Sequence, residues 1–317
     1  MPRLLAGRYE LGARLGRGSM GEVWAALDRE TGEEVAVKTA RAATLADPEL
    51  LARFEREGKL LRRLRTPYVC GFRAAGRSED GVPFLVVERL RGETLEALLA
   101  REGDLPLEDA LRVGRELLSA LVVAHDAGLV HRDLSPANVF LHEEPSGVIT
   151  KVLDFGVAKV SDPSSSIAGA ATESGATIGT LAYVAPEQLG GSTATGPRAD
   201  LYAAGTVLVH ALTGRLPFGD ARGARLLALK REHDPPSVDD LTGERWPVGV
   251  RTFLAKLTAR SPARRYPSAA AALAALDALD VRPAVAVPGA SRASAPARSP
   301  EPTATQTVGP PRRRPSR

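Results

Sequence analysis

An eight-residue run, His131-Arg132-Asp133-Leu134-Ser135-Pro136-Ala137-Asn138, constrains this chain more than any other stretch. A His-Arg-Asp triplet with an Asn five positions after the Asp would arise by chance in roughly one chain in 500 of this length. Asp154-Phe155-Gly156 begins sixteen residues after Asn138, and Ala185-Pro186-Glu187 follows. Taken alone, each piece has an ordinary structural reading: Asp133 a turn residue, Asn138 a cap, Asp154 a turn at a strand end, Glu187 a charge at a helix start. Their order along the chain has no competing structural explanation.

Two features precede the run. Gly16-Arg17-Gly18-Ser19-Met20-Gly21-Glu22-Val23 is a G-x-G-x-x-G-x-V pattern, a weak signal by itself. A dinucleotide site needs a helix to open after the glycines. Here Val23 and Trp24 run instead into a Thr31-Gly32 turn and a second strand, so the pattern predicts a hairpin with a glycine loop as its flap. Glycines let backbone approach phosphate oxygens with no Cβ in the way. In Val35-Ala36-Val37-Lys38, strand alternation puts Ala36 and Lys38 on one face. A small residue there leaves room for a purine, and an ammonium two residues on can meet phosphates; the ordinary alternative is a surface lysine.

Hydrophobic periodicity divides the chain in two. Tyr9 to Leu15, Glu22 to Asp28, Glu34 to Thr39 and Pro83 to Glu88 read as strands, interrupted by a helix over Asp47 to Leu64 with Leu50, Phe54, Leu60, Leu61 and Leu64 at helical spacing. Beyond Thr94 helices dominate: Leu107 to Ala127, Leu201 to Thr213, Arg251 to Ala259 and Ser268 to Leu279. Between them His131 to Pro186 reads as short strands and loops, and long loops in compact domains are usually functional. After Asp280 the chain turns to Pro, Ala, Arg, Ser and Thr, so 281–317 is expected to be a disordered basic tail. That tail has seven Arg against Glu301, so the formal charge of +4 hides a net of −2 on the rest. A nucleic-acid-binding domain is therefore not expected. Cys70 is the single cysteine, which rules out an internal disulfide and suits a reducing cytoplasm. No transmembrane segment and no signal peptide are expected from the apolar pattern.

With its motifs in this order, the chain resembles the eukaryotic-like protein kinase family, in particular its bacterial Ser/Thr members, from Tyr9 to about Leu279. The resemblance implies an α+β, two-lobed protein kinase fold: a small β-rich N-lobe, about 9–88, with one main helix, and a larger helical C-lobe, about 91–279. It implies ATP in the cleft, with Mg²⁺ (or alternatively Mn²⁺) held by Asn138 and Asp154. Asp133 would accept or orient the substrate hydroxyl, and Lys38 would hold the α- and β-phosphates. Glu57 would pair with Lys38; the neighbouring Glu55 would point to another side of the helix. Leu15, Gly16, Arg17, Gly18, Ser19, Met20 and Gly21 would form the flap over the nucleotide. Adenine would lie between Val23 and Ala36 on one side and Phe140 on the other. The backbone of Glu88 and Leu90 would meet its edge, and Val87 would close the back of the pocket. Asp200 would brace the catalytic loop, and Glu187 would pair with Arg265.

Pro136, Ala137 and Gly179-Thr180 fit the Ser/Thr pattern of that family. One departure is Ser135, where the family usually places a Lys that neutralises the γ-phosphate; losing a cation there slows phosphoryl transfer. Arg132 would bind a phosphate on the 154–187 segment, with Thr172, Ser174 and Thr177 as candidates. Gly58 inside the helix is expected to loosen it, at about 1 kcal/mol relative to alanine. Thr303, Thr305, Thr307 and Arg312 to Arg314 would make the tail an autophosphorylated docking site, a binder of an acidic partner or, more simply, a solubilising end. Expected partners are protein substrates, ATP and a second copy of the chain for autophosphorylation in trans. Three other readings stand beside this one. A pseudokinase scaffold rests on Ser135. A small-molecule kinase of related fold is opposed by Gly179-Thr180 and Ala185-Pro186-Glu187. A nucleic-acid binder rests on the tail alone.

Overall fold

The computed structural model describes residues 3–17, 21–40, 45, 48–154, 180–190 and 196–279. The small lobe is built on β1 (Arg3–Leu5), β2 (Tyr9–Arg17), β3 (Gly21–Asp28), β4 (Glu34–Ala40), α1 (Pro48–Leu61), β5 (Phe72–Arg77) and β6 (Pro83–Glu88). Its six strands form one antiparallel sheet in the order β1-β2-β3-β4-β6-β5. Alternation along β4 sorts the two faces. Val35 and Val37 bury against Leu5, Tyr9, Leu11, Ala26, Phe84 and Val86. Ala36 and Lys38 therefore face the other way, where Val23 lies opposite Lys38 and Val87 opposite Ala36. Helix α1 packs on this same face: Phe54 is fully buried against Leu85, and Leu85 pairs with Lys38. Burying a phenylalanine in this way contributes about 1.5–3 kcal/mol.

Several elements escape the hydrophobic pattern. β5 has the sequence FRAAGR, poor in strand formers, and its Gly76 lies opposite Phe84 on β6. A Cβ on Gly76 would sit 2.8 Å from the tip of the Phe84 ring. Gly58 has a similar cause. It is a tight contact between α1 and the sheet, where a Cβ would lie 2.4 Å from Leu85 Cδ2. Gly21 is also required by packing, since its Cβ would lie 2.4 Å from the Thr39 carbonyl oxygen of the adjacent strand.

The larger lobe begins with β7 (Gly92–Thr94), α2 (Leu95–Glu102) and α3 (Leu107–Asp126). β8 (Val139–Glu144) and β9 (Gly147–Val152) complete a three-stranded sheet, β7-β8-β9. Then come α4 (Pro197–Thr213), α5 (Gly223–Glu232), α6 (Val238–Thr242), α7 (Val248–Leu257) and α8 (Ala269–Asp277). Helix α4 is buried almost all round, so it forms the centre of this lobe. It starts at Pro197, before the apolar run, with proline's fixed φ suited to the first helical turn. It ends at Gly214, in the left-handed conformation at φ 63°. Helix α5 has only two buried positions, Leu226 and Lys230, and the lysine hides its apolar stripe from sequence inspection. Among the described residues no helix is long and apolar enough to cross a membrane.

Candidate active site

The run 131–138 folds as a loop closed by its own side chains. A 3-10 turn, Pro136–Asn138, follows Ser135, and Asn138 N donates to Ser135 O at 2.9 Å. The Asn138 side-chain nitrogen donates to Asp133 O at 2.8 Å, so the two residues sit across one turn. His131 Nε2 donates to Leu153 O at 3.0 Å, and its Nδ1 accepts from Asp133 N at 3.3 Å. Those partners select the imidazole tautomer with hydrogen on Nε2. Leu153 N donates to Asn138 O at 2.9 Å, which brings the next residue, Asp154, to the same place.

Asp200, at the start of α4, holds this loop from below. Its carboxylate is 1% exposed and accepts from His131 N, Arg132 N and His125 Nε2, each at 2.8 Å. The sequence reading expected Asp200 to brace the loop, and it does so. His125, at the end of α3, was missed; a polar side chain closing a long apolar helix was the available signal. Arg132 has φ 64° and Asp154 has φ 36°, both left-handed positions that cost non-glycine residues energy.

Lys38 reaches across from β4. Its Nζ lies 3.0 Å from Asp154 Oδ1. The Lys38 side chain is 14% exposed and that of Asp154 60%, so the pair sits at the mouth of a cleft. Glu57 lies in α1, on the sheet face that carries Lys38, and its side chain falls outside the described residues. Of the apolar candidates, Ala36 and Leu90 are buried, while Val23, Val87 and Phe140 are half-buried. Val23, Ala36, Lys38 and Val87 share one sheet face by register. Phe140 is on β8, two residues after Asn138. Glu88 turns its carboxylate to Gly71 N and Lys151 Nζ, both at 2.7 Å. Leu15, Gly16 and Arg17 end β2, with Leu15 exposed, and Gly21 opens β3. Gly18, Ser19 and Met20 lie outside the described residues, as do Phe155, Gly156, Thr172, Ser174, Thr177 and Gly179.

Asn138 and Asp154 fit a hard divalent cation. With the Asn138 nitrogen committed to Asp133 O, its amide oxygen is the remaining ligand atom, and Asp154 adds an exposed carboxylate. Mg²⁺ is typically bound by one or two protein carboxylates together with substrate phosphates, and the Lys38 ammonium stands 3.0 Å from the Asp154 carboxylate. Ser135 is 5% exposed and brings no charge to the site.

On the far side of the loop, the segment 180–190 is tied to it. Ala185 N donates to Gln188 Oε1 at 2.9 Å, and Gln188 Nε2 donates to Arg132 O at 3.2 Å. Gln188 was not singled out in the sequence. The expected pair of Glu187 and Arg265 is present and bidentate, at 2.6 and 2.8 Å, with the Arg265 side chain fully buried.

The sequence profile of the protein kinase domain matches residues 9–275. This chain belongs to the protein kinase domain family. Serine/threonine-protein kinase PknA of Mycobacterium tuberculosis is 38% identical over 271 residues, 83% of this chain and 59% of PknA. Serine/threonine-protein kinase pkn3 of Myxococcus xanthus is 38% identical over 283 residues, 88% of this chain and 51% of pkn3. The chain thus spans between half and three-fifths of the length of these relatives. The crystal structure of the Mycobacterium tuberculosis PknI kinase domain superimposes with a TM-score of 0.65 at 25% identity. That superposition covers 87% of this chain and 97% of that domain. The two-lobed kinase fold and the resemblance to bacterial Ser/Thr kinases, both expected from the motifs, are borne out.

Proposed function

We propose that this kinase transfers the γ-phosphoryl group of ATP to serine and threonine hydroxyls of proteins. The observation that carries the reading is the Lys38 to Asp154 contact, 3.0 Å across 116 residues of sequence. It joins the glycine-flap sheet to Asp154, whose neighbour Leu153 bonds Asn138 in the loop that also bears Asp133, and a phosphate-transfer cleft requires that meeting. The relatives named as serine/threonine kinases favour transfer over a nucleotide-binding scaffold.

In this mechanism Lys38 engages the α- and β-phosphates, and Glu57 steadies it. Asn138 and Asp154 hold Mg²⁺, or Mn²⁺ in its place, which neutralises charge on the phosphate oxygens. Asp133 accepts or orients the attacking hydroxyl's proton. Ala36, Val23, Val87 and Phe140 enclose adenine, and the backbone of Glu88 and Leu90 meets its edge. Gly16 to Gly21 cover the phosphates. Catalysis is then a matter of position and charge rather than covalent chemistry. We further place the reaction in the cytoplasm, with a second copy of the chain as the partner for autophosphorylation in trans.

Transfer from [γ-³²P]ATP with Mg²⁺ to the chain itself and to a generic basic protein tests this reading, with Asp154→Asn beside it. Phosphate on Ser or Thr that vanishes in Asp154→Asn is the expected result. ATP binding without transfer, with activity appearing only in Ser135→Lys, would replace it by the scaffold reading.

A further inference from the structure

Lys230 is the most deeply buried lysine among the described residues, at 1% exposure. Its Nζ donates to Ala182 O at 2.6 Å and to Val184 O at 2.7 Å. The Tyr202 ring covers it at 5.0 Å, and the Arg265 guanidinium lies 4.9 Å from the same ring. The nearby carboxylate, Glu187, already has both oxygens bonded to Arg265. A buried ammonium without a carboxylate of its own is costly. A leucine would fill the apolar stripe of α5 without that cost. What the lysine adds is a pair of hydrogen bonds onto one short piece of backbone.

That piece of backbone is connected to the reaction centre. Ala182 to Val184 runs directly into Ala185, and Ala185 reaches Arg132, the neighbour of Asp133, through Gln188. The segment is pinned from α4 as well, where Tyr183 Oη bonds His210 Nδ1 at 2.8 Å. It therefore lies clamped between α4 and α5 and is registered to the loop that carries Asp133.

We propose that Lys230 is a positioning residue for the protein substrate: by holding the carbonyls of Ala182 and Val184, it sets the surface that presents a polypeptide hydroxyl to Asp133. The inference rests on the kinase reading above. It separates Lys230 from the nucleotide side, since among the described residues Lys230 bonds the carbonyls of Ala182 and Val184 and not Lys38, Asn138 or Asp154.

A pH signature accompanies the geometry. Burial first, and then repulsion by Arg265, pulls the Lys230 ammonium down to about 7, with Glu187 opposing. Tyr202 from α4 also faces it; Tyr183, bonded to His210, lies between the two carbonyls on the clamped segment, and Arg231 and Glu232 follow it on α5. Burial raises both tyrosines well above the neutral range and lowers His210, so His210 titrates on the acid side of its ordinary value. Above neutrality Lys230 loses its charge, and its bonds to the two carbonyls weaken from charge-assisted to ordinary ones.

The test uses the whole chain, with myelin basic protein as the acceptor, and measures KM for acceptor and for ATP separately. Lys230→Met removes both bonds and should raise KM for the acceptor about tenfold or more, while KM for ATP stays within about twofold. In the wild type, the ratio of acceptor KM to ATP KM should climb as pH rises through about 7. A folded Lys230→Met with an unchanged acceptor KM overturns the proposal. If that variant does not fold, the wild-type profile decides: a climb supports the proposal and a flat ratio overturns it. A wild type that binds ATP yet phosphorylates no protein overturns the kinase reading, and this inference with it.

Discussion

Replacing Asp200 by asparagine removes a charge and one acceptor while keeping the side-chain volume. In the native protein Oδ1 accepts from Arg132 N, and Oδ2 accepts from His131 N and His125 Nε2. An asparagine amide has one oxygen, so its NH₂ must face a donor. Facing Arg132 N costs one bond, facing the other two costs two, and the first orientation therefore wins. The orphaned Arg132 N–H costs about 1–3 kcal/mol, and the two surviving bonds each lose about 1 kcal/mol with the charge. Relief from burying a carboxylate offsets part of this, leaving a net loss of about 3 kcal/mol. The effect reaches function because Arg132 sits at φ 64°, a conformation costing about 1–3 kcal/mol that the Asp200 bonds impose. Freed of the bond to its own N–H, Arg132 relaxes and Asp133 moves with it. Urea unfolding should show a lowered midpoint at unchanged slope, and phosphate transfer should fall roughly 10- to 100-fold. ATP affinity should hold, because Lys38 and the small-lobe sheet are untouched. A variant within about 0.5 kcal/mol of wild type that transfers phosphate normally would refute the reasoning.

Gly58→Ala separates helix propensity from packing. Propensity alone predicts stabilisation by about 1 kcal/mol, whereas the new Cβ would press on the buried Leu85, and overpacking costs about 1–3 kcal/mol. The expected outcome is a net loss of stability and slower transfer, as α1 shifts off the sheet with Glu57; a raised urea midpoint would show the contact to be slack. Cys70 is buried and its thiol is pushed far above the ordinary range, first by burial and then by Glu88 and Asp154. At neutral pH iodoacetamide should therefore label it only at the rate of unfolding; labelling of native protein as fast as free cysteine would contradict its placement.

The local geometry of the candidate site was legible in the sequence because its motif residues stand at short, rigid spacings. His131 to Asn138 closes on itself within a single turn, so its order along the chain already contains most of its geometry. The face shared by Ala36 and Lys38 followed from strand alternation, which is equally local. Two glycines carry packing constraints that the sequence did not show: Gly58 and Gly21 each meet a neighbouring strand that only the fold supplies. Gly76, on which the sequence offered no reading, meets the Phe84 ring.

What tertiary structure alone decided lies in contacts between distant residues. Lys38 and Asp154 meet across 116 positions, and His125 meets Asp200 across 75. Lys230 is the clearest case. A lysine in the charged last turn of a helix reads as solvated, because most lysines are. Its burial depends on two carbonyls, 46 and 48 residues earlier, arriving at the same point in space. Local periodicity records which residues prefer water; whether a polar group is left without water, and what replaces it, depends on which other segments pack against it.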